Sequence, residues 1–326
     1  MILINYKANM CNGSSNSNFN FGYACINTVL QKKKIISSNT LRLSTLEKNG
    51  IDYAKKLAIK NLENLLLILK WNKEHDILFF RMSSDMFPFA TYHSKNGEYM
   101  GYSLDFADHL LQKIGQYAKD NKMRLTMHPA QFCVLSSENP NIVSNTFSDL
   151  NHHCEILDRM GLDSNSVIII HGGGVYGNKK EALRRLEENI MNLPENTRNR
   201  IVLENCEMAY TIEDLLPISE KLQIPLIIDF HHDDIHPSSN PIETYFDRVF
   251  SVWRNRNIKP KVHVSNSVPG IEKTDSKTAR RKHSDYIEFL HNALLKITFP
   301  IDIMLECKMK EDALLKLRKS RTVVNF

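Results

Sequence analysis

Short runs of apolar and β-branched residues alternate along the chain with longer stretches in which apolar positions recur at helical spacing. The apolar runs predict eight strands, at residues 21–27, 77–83, 124–128, 167–171, 200–205, 225–230, 261–265 and 301–306. The longer stretches predict helices at residues 50–70, 104–120, 142–160, 180–193, 212–222, 241–254, 279–297 and 310–319. The strand runs are almost continuously apolar, which is typical of strands buried on both faces.

This order of elements predicts the fold class. Strict alternation of strand and helix favours a parallel sheet with crossover helices, and eight repeats favour a closed (β/α)8 TIM barrel. An open doubly wound sheet is the alternative, but the glycine-rich fingerprint of that fold does not follow the first predicted strand. We therefore expect one TIM-barrel domain over residues 21–326, preceded by a flexible polar leader at residues 1–20.

Composition narrows the class of protein without naming a partner. The chain is 42% hydrophobic and 24% charged, as in soluble globular proteins. Its formal net charge of +5 permits a polyanionic partner but does not require one. The six cysteines are scattered without a CxxC pair, which predicts reduced thiols. Because the sequence shows neither a membrane-length apolar run nor the pattern of a signal peptide, we expect an intracellular protein that is not membrane-bound.

Ionisable side chains lie near the C-terminal ends of six consecutive predicted strands. They are His128, His171, Glu204, Asp229, His263 and Glu306. In a barrel these ends share the face on which active sites are built. A single such residue is more often a hydrogen-bonded structural group or a helix cap. Six in a row predict a site for two or three divalent ions, because histidine and carboxylate are ligands for zinc, manganese and similar metals.

The same strand ends belong to longer segments that resemble the UV damage endonuclease family, a group related to endonuclease IV. The similarity runs in chain order from about residue 21 to residue 317. Its segments are GYACIN at 22–27, RMSSDMFPFA at 81–90, HPAQF at 128–132, HGGGVYG at 171–177, LEN at 203–205, DFHH at 229–232, PKVH at 260–263, RKHSDY at 281–286 and MLECK at 304–308. So many ordered motifs make the resemblance specific.

The resemblance implies a site for three divalent ions, with Mn²⁺ foremost and Zn²⁺ or Mg²⁺ as alternatives. The implied metal ligands are His93, His128, His171, Glu204, Asp229, His232, His263, His283 and Glu306. The implied catalytic residues are Glu204, Lys261 and Glu306, with Lys261 beside the metals in a free or carboxylated form.

The resemblance also implies contacts with DNA. Gln131 and Phe132 would form a wedge that enters the duplex at the lesion, and Tyr23 and Asn27 would contact the damaged strand. The chain departs from the family pattern at three points. The loop before His93 is one residue longer than usual, Ala130 replaces a glycine, and Phe132 stands where some members have tyrosine.

The function implied by the resemblance is incision of double-stranded DNA immediately 5′ of UV photoproducts. Multi-metal hydrolysis would leave a 3′-hydroxyl and a 5′-phosphate and would start an alternative excision repair pathway. A sugar isomerase or epimerase on the same metal-binding barrel is one alternative, although its small substrates need no exposed aromatic wedge. A damage-binding protein without catalysis is another, although it would not need a complete ligand set. No feature of the sequence indicates an obligate protein partner.

Overall fold

Eight parallel strands form a closed barrel that is surrounded by helices, which confirms the predicted (β/α)8 TIM barrel. The structure is a computed structural model that describes residues 18–94 and 97–324. The strands are β1 (Phe19–Ala24), β2 (Phe79–Met82), β3 (Arg124–Met127), β4 (Ile168–His171), β5 (Ile201–Glu204), β6 (Leu226–Asp229), β7 (Lys261–Val264) and β8 (Ile301–Leu305). The helices are α1 (Thr28–Gln31), α2 (Leu43–Asn49), α3 (Ile51–Glu74), α4 (Asp108–Asp120), α5 (Pro140–Arg159), α6 (Lys179–Asn192), α7 (Glu195–Arg198), α8 (Ile212–Leu222), α9 (Phe230–Ile235), α10 (Phe246–Asn255), α11 (Lys277–Arg280) and α12 (Lys310–Val324).

The barrel closes where β1 pairs with β8. The parallel register runs from Phe19 opposite Ile301 to Tyr23 opposite Leu305. Every other strand pairs with its neighbours in the sequence, so the strand order around the barrel follows the chain. Because all the strands are parallel, their C-terminal ends lie on one face.

A glycine in β1 makes room for a large side chain inside the barrel. A Cβ atom at Gly22 would lie 2.3 Å from the carbonyl oxygen of Phe79 and 2.5 Å from its ring. The ring of Phe79 packs with Ala24 and Met304 in a small apolar cluster. Gly22 and Ala24 on β1 thus leave the space that the Phe79 ring on β2 occupies, so the narrow barrel interior is filled.

Amphipathic helices cover the outside of the barrel. In α10 the buried residues include Val249, Phe250 and Trp253, and the indole N–H of Trp253 donates a hydrogen bond to the carbonyl oxygen of Leu226, 2.9 Å away. This bond joins α10 to β6 while the ring fills the space between them. Among the described residues, no helix combines the length and the apolar character needed to cross a membrane.

The interior of the barrel near its N-terminal end contains a buried charge network. Asp302 of β8 is fully buried, and its carboxylate lies 2.8 Å from Nη1 of Arg124 and 2.5 Å from Nζ of Lys259. The side-chain amide of Asn20 donates a third hydrogen bond to it, over 2.7 Å. Two cations and an amide therefore satisfy one carboxylate, as a buried charge requires.

The predicted helix at residues 279–297 is wrong. Only α11 and a 3₁₀ turn at Asn292–Lys296 form there. The segment between them bonds to the loop after β7, since Asn266 Oδ1 accepts from the amide of Glu288 at 2.9 Å and the amide of Ser284 donates to the Asn266 carbonyl at 2.8 Å. Backbone amides that bond to a neighbouring loop cannot also form a helical ladder, so the apolar spacing of this segment reflects packing rather than helix.

The first strand begins and ends earlier than predicted. It starts at Phe19, so the last residues of the expected leader belong to the barrel, while residues 1–17 of that leader lie outside the described residues. It ends before Cys25, which takes a left-handed φ of 69°. Asn27 then caps α1 by accepting a hydrogen bond from the amide of Leu30, 2.9 Å away.

Candidate metal centre

The six strand-end residues predicted from the sequence converge at the C-terminal mouth of the barrel. The barrel register places His171 opposite Glu204 and Asp229 opposite His263. Because side chains alternate along a strand, residues at equivalent positions of adjacent strands point into the same space. His128 and Glu306 directly follow β3 and β8, which brings them to the same level of the barrel.

Among the residues that the structure describes, three groups of side chains have ligand atoms close enough to hold a metal ion. Within each group the ligand atoms lie within 4.8 Å of one another. The groups are His128 with His171 and Glu204, Glu204 with Asp229 and His232, and Asp229 with His263 and Glu306. Glu204 and Asp229 each belong to two groups, so the arrangement is suited to adjacent cations that share carboxylates.

Glu204 lies at the centre of the cluster. Its Oε2 is 3.2 Å from Nε2 of His128 and 3.9 Å from Nε2 of His171. Its Oε1 is 2.8 Å from Nδ1 of His263 and 3.5 Å from Nδ1 of His232. Only 1% of the side chain is exposed, so this carboxylate depends on its neighbours rather than on bulk water.

Several buried polar atoms of the cluster have no hydrogen-bond partner among the described residues. They are Oε2 of Glu204, Oδ2 of Asp229, Nε2 of His263 and Nδ1 of His171. Buried polar atoms are almost always satisfied, and a group of exceptions calls for an explanation. Divalent cations fit, because each of these atoms is a carboxylate oxygen or an imidazole nitrogen that can donate a lone pair to a metal.

The protonation of the cluster also fits a metal site. Burial lowers the pKa of His171 and of His263 to about 4, so both imidazoles are neutral at pH 7 and able to act as ligands. Burial raises the pKa of Asp229, and the nearby Glu204 adds to that effect. Burial lowers the pKa of His232, but the surrounding carboxylates outweigh it and raise the pKa overall.

We expect metal binding at pH 7 to release at least one proton from the Asp229–His232 pair. Both pKa values are raised, so both side chains are largely protonated at neutral pH. Metal coordination requires the deprotonated forms and must displace these protons. Titration calorimetry with Mn²⁺ in two buffers of different ionisation enthalpy measures this release, which should diminish as pH rises through the raised pKa values. Equal binding enthalpies in the two buffers would contradict it.

Three side chains outside the predicted set support the cluster. Asn205 holds Asp229 from both sides, since its Nδ2 donates to the Asp229 carbonyl at 3.0 Å and its Oδ1 accepts from the Asp229 amide at 2.8 Å. Arg81 forms an ion pair with Glu306, and Glu207 lies 3.6 Å from Nε2 of His232. Arg81 could have been found by the strand-end rule, because it lies near the end of β2, whereas no sequence signal marks Glu207.

Three residues predicted to bind metal or to act in catalysis lie outside these groups in the described part of the chain. His93 forms a short antiparallel bridge with Tyr99, and its Nδ1 lies 3.0 Å from the carbonyl oxygen of Thr91. His283 is nearer, with its Nδ1 2.5 Å from the hydroxyl of Ser265. Lys261 is fully buried, and its Nζ donates to Thr126 at 3.3 Å. The metal roles of these residues stay predictions.

The predicted DNA contacts fall into two different environments. Gln131 and Phe132 are exposed beside the cluster, and Phe132 is 77% exposed. Tyr23 and Asn27 are buried, with the Tyr23 hydroxyl donating to Asn72 at 2.6 Å and accepting from Asn27 at 2.9 Å. Contact of this second pair with DNA would require these hydrogen bonds to break.

The fold and the cluster define a TIM-barrel protein with a candidate site for several metal ions at the C-terminal ends of its strands. The family model UV-endonuclease UvdE matches residues 19–325, and the chain belongs to this family.

Individual relatives agree with this assignment. A protein of Acanthamoeba polyphaga mimivirus is 40% identical over 305 residues, which are 91% of this chain and 89% of that protein. The UV DNA damage endonuclease of Bacillus thuringiensis subsp. konkukian is 36% identical over 290 residues, with 87% of each chain covered. The crystal structure of SacUVDE superimposes with a TM-score of 0.81 at 31% identity, covering 94% of this chain and 99% of that one.

Proposed function

We propose that this protein is a metal-dependent endonuclease that cuts double-stranded DNA immediately 5′ of UV photoproducts. Its family supports a UV-damage endonuclease. The observation that carries the metal-dependent part is the buried Glu204 carboxylate, which approaches four imidazoles and keeps one oxygen without a hydrogen bond. The cut would leave a 3′-hydroxyl and a 5′-phosphate, and a DNA substrate implies a location in a DNA-containing compartment.

Three overlapping ligand groups support a site for three ions, and Mn²⁺ is the metal that we propose. Bound divalent cations would neutralise phosphate charge and would lower the pKa of water at the site. The protein holds the ligands in place. Asn205 fixes the backbone of Asp229, and Arg81 compensates the charge of Glu306.

Lys261 lies two residues before His263 on β7, so the two side chains are on the same side of the strand. Lys261 is the one that lies deeper in the barrel. It is opposite Asp302 in the register of β7 and β8, which places it between the metal cluster and the buried charge network. We propose that Lys261, Glu204 and Glu306 line the floor of the site, where bound cations would position the scissile phosphate.

Selection of damage would depend on how easily the duplex opens. A photoproduct stacks poorly, so kinking the DNA and extruding the damaged bases costs less free energy there than in an intact duplex. Gln131 and the highly exposed Phe132 are placed to fill the gap that opens. A sugar isomerase or epimerase is one of the alternatives that the sequence leaves open. Its small substrates would not need a solvent-exposed aromatic side chain such as Phe132.

The test is nicking of supercoiled plasmid with Mn²⁺. We expect the enzyme to nick UV-irradiated plasmid, to leave untreated plasmid intact and to lose activity in EDTA, because the ligand cluster needs its cations. End-labelled duplexes with a single photoproduct then locate the cut and its end groups.

Turnover of free ketoses serves as the counter-assay. Ketose turnover without nicking would overturn the proposal in favour of the isomerase alternative. Nicking that persists in EDTA would overturn its metal-dependent part.

A further inference from the structure

A cavity of about 280 Å³ lies beside the metal centre and is bordered by the loops that follow β3, β4 and β5. Each loop carries one large apolar side chain that projects into solvent. These are Phe132, which is 77% exposed, Tyr176, which is 42% exposed, and Met208, which is 53% exposed. Met208 lines the cavity itself, whereas Phe132 directly follows the lining residue Gln131 and Tyr176 lies two residues after the lining residue Gly174.

Hydrogen bonds join the three loops into one unit. The carbonyl oxygen of Gly174, in the middle loop, accepts from the hydroxyl of Ser136 at 3.2 Å and from that of Tyr210 at 3.0 Å. Ser136 belongs to the loop of Phe132, and Tyr210 belongs to the loop of Met208. The outer loops are thus held at fixed positions on either side of the middle one.

The turn that carries Met208 is anchored on both sides of this residue. The sulfur of Cys206 accepts from the amides of Ala209 and Tyr210, each at 3.2 Å. Glu207 pairs with Arg281, with 2.5 Å between Oε1 and Nε. Met208 is left at the tip of a turn whose backbone has little freedom, so a contact made there costs little backbone ordering entropy.

The chemistry of this cavity fits opened DNA. Methionine is among the side chains that insert as apolar wedges between base steps. Arg281, which lines the same cavity and is 46% exposed, complements the phosphate backbone. Gln131, of the proposed wedge, also lines it, so the cavity is continuous with the proposed DNA contact.

We propose that Met208 is a second apolar DNA contact, which packs against unstacked bases on the opposite side of the cavity from Gln131 and Phe132. This inference rests on the proposed function. The lesion would then be contacted at two places, by Met208 and by the Gln131–Phe132 wedge. The hydrogen-bonded loops would fix the distance between these two contacts.

The test compares Met208→Ala with Met208→Leu and with the control Met191→Ala. Met191 is 50% exposed on α6, so it matches Met208 in residue type and exposure but lies away from the cavity. In single-turnover incision of a duplex with one photoproduct, Met208→Ala should raise the half-saturating enzyme concentration about tenfold with an unchanged maximal rate. Met208→Leu should restore wild-type behaviour, and Met191→Ala should equal wild type.

A second measurement separates DNA contact from a purely structural role. In a Glu204→Gln background, fluorescence of 2-aminopurine beside the lesion reports unstacking at saturating protein, and Met208→Ala should reduce the increase on binding. If the wild type incises normally, two results would overturn this inference alone. One is a Met208→Ala variant with the wild-type half-saturating concentration, and the other is a Met208→Leu variant whose half-saturating concentration is as high as that of Met208→Ala. A wild-type enzyme that does not incise the duplex would overturn the proposed function itself.

Discussion

Replacing Glu204 with alanine will abolish incision while the protein still binds DNA. Its carboxylate belongs to two of the three ligand groups, so the substitution leaves both of them incomplete. Loss of a residue that only supports a metal ligand typically reduces metal affinity or activity about 10–100-fold. Loss of a shared ligand should exceed that range, so we expect a decrease of more than about 100-fold.

Single-turnover incision, metal content and binding of a photoproduct duplex measure this prediction. Glu311→Gln is the matched control, since Glu311 is also a buried carboxylate, but it accepts hydrogen bonds from Thr28 at 2.5 Å and from the amide of Val29 at 2.8 Å. This variant should keep its metal and its activity per folded molecule. Full activity in Glu204→Ala would show that Glu204 is not a shared ligand.

Replacing Asp302 with alanine will destabilise the barrel without removing the metal site. The substitution removes the carboxylate from Arg124, whose side chain is only 10% exposed, and from Lys259, whose side chain is 38% exposed. Removing one partner of a buried ion pair typically costs about 3–5 kcal/mol of unfolding free energy. We expect a loss in this range, because Asp302 is fully buried and also accepts from Asn20.

Chemical denaturation gives the change in unfolding free energy, and the metal content of the folded protein tests whether the cluster survives. Glu220→Ala is the control, because it breaks an exposed ion pair with Arg248, whose Nη2 lies 2.6 Å from Oε2. An exposed pair contributes only about 0–1 kcal/mol. Similar losses for the two variants would mean that the network around Asp302 adds nothing to stability.

Much of the fold could be predicted from the sequence because the strands of a parallel barrel are buried on both faces. A run such as residues 167–171 is apolar throughout, and the helical stretches between such runs leave a parallel arrangement as the simplest one. The failure at residues 279–297 has the opposite cause. Ile287, Leu290 and Leu294 pack with the core while backbone amides of the segment bond to the loop after β7, and local periodicity cannot distinguish this from a helix.

The candidate site was predictable to a similar extent and for a related reason. Once the strand ends are known, the barrel itself brings residues such as His171 and Glu204 together. Residues that join the site through a loop have no such rule. Glu207 reaches His232 through the conformation of the turn after β5. His93, whose metal role stays a prediction, is held by a bridge to Tyr99 in the loop after β2 and lies outside the ligand groups.

The sequence by itself thus determined the barrel, the order of its strands and the chemical character of its C-terminal face. These follow from local hydrophobicity and from the alternation of side chains along strands. The tertiary structure decided which candidate ligands lie close enough to share a cation, that Tyr23 and Asn27 are buried, and that three loops place Gln131 and Met208 around one cavity. Such features depend on contacts between residues far apart in the chain, such as the hydrogen bonds from Ser136 and Tyr210 to the Gly174 carbonyl. Local sequence patterns do not predict contacts of this kind.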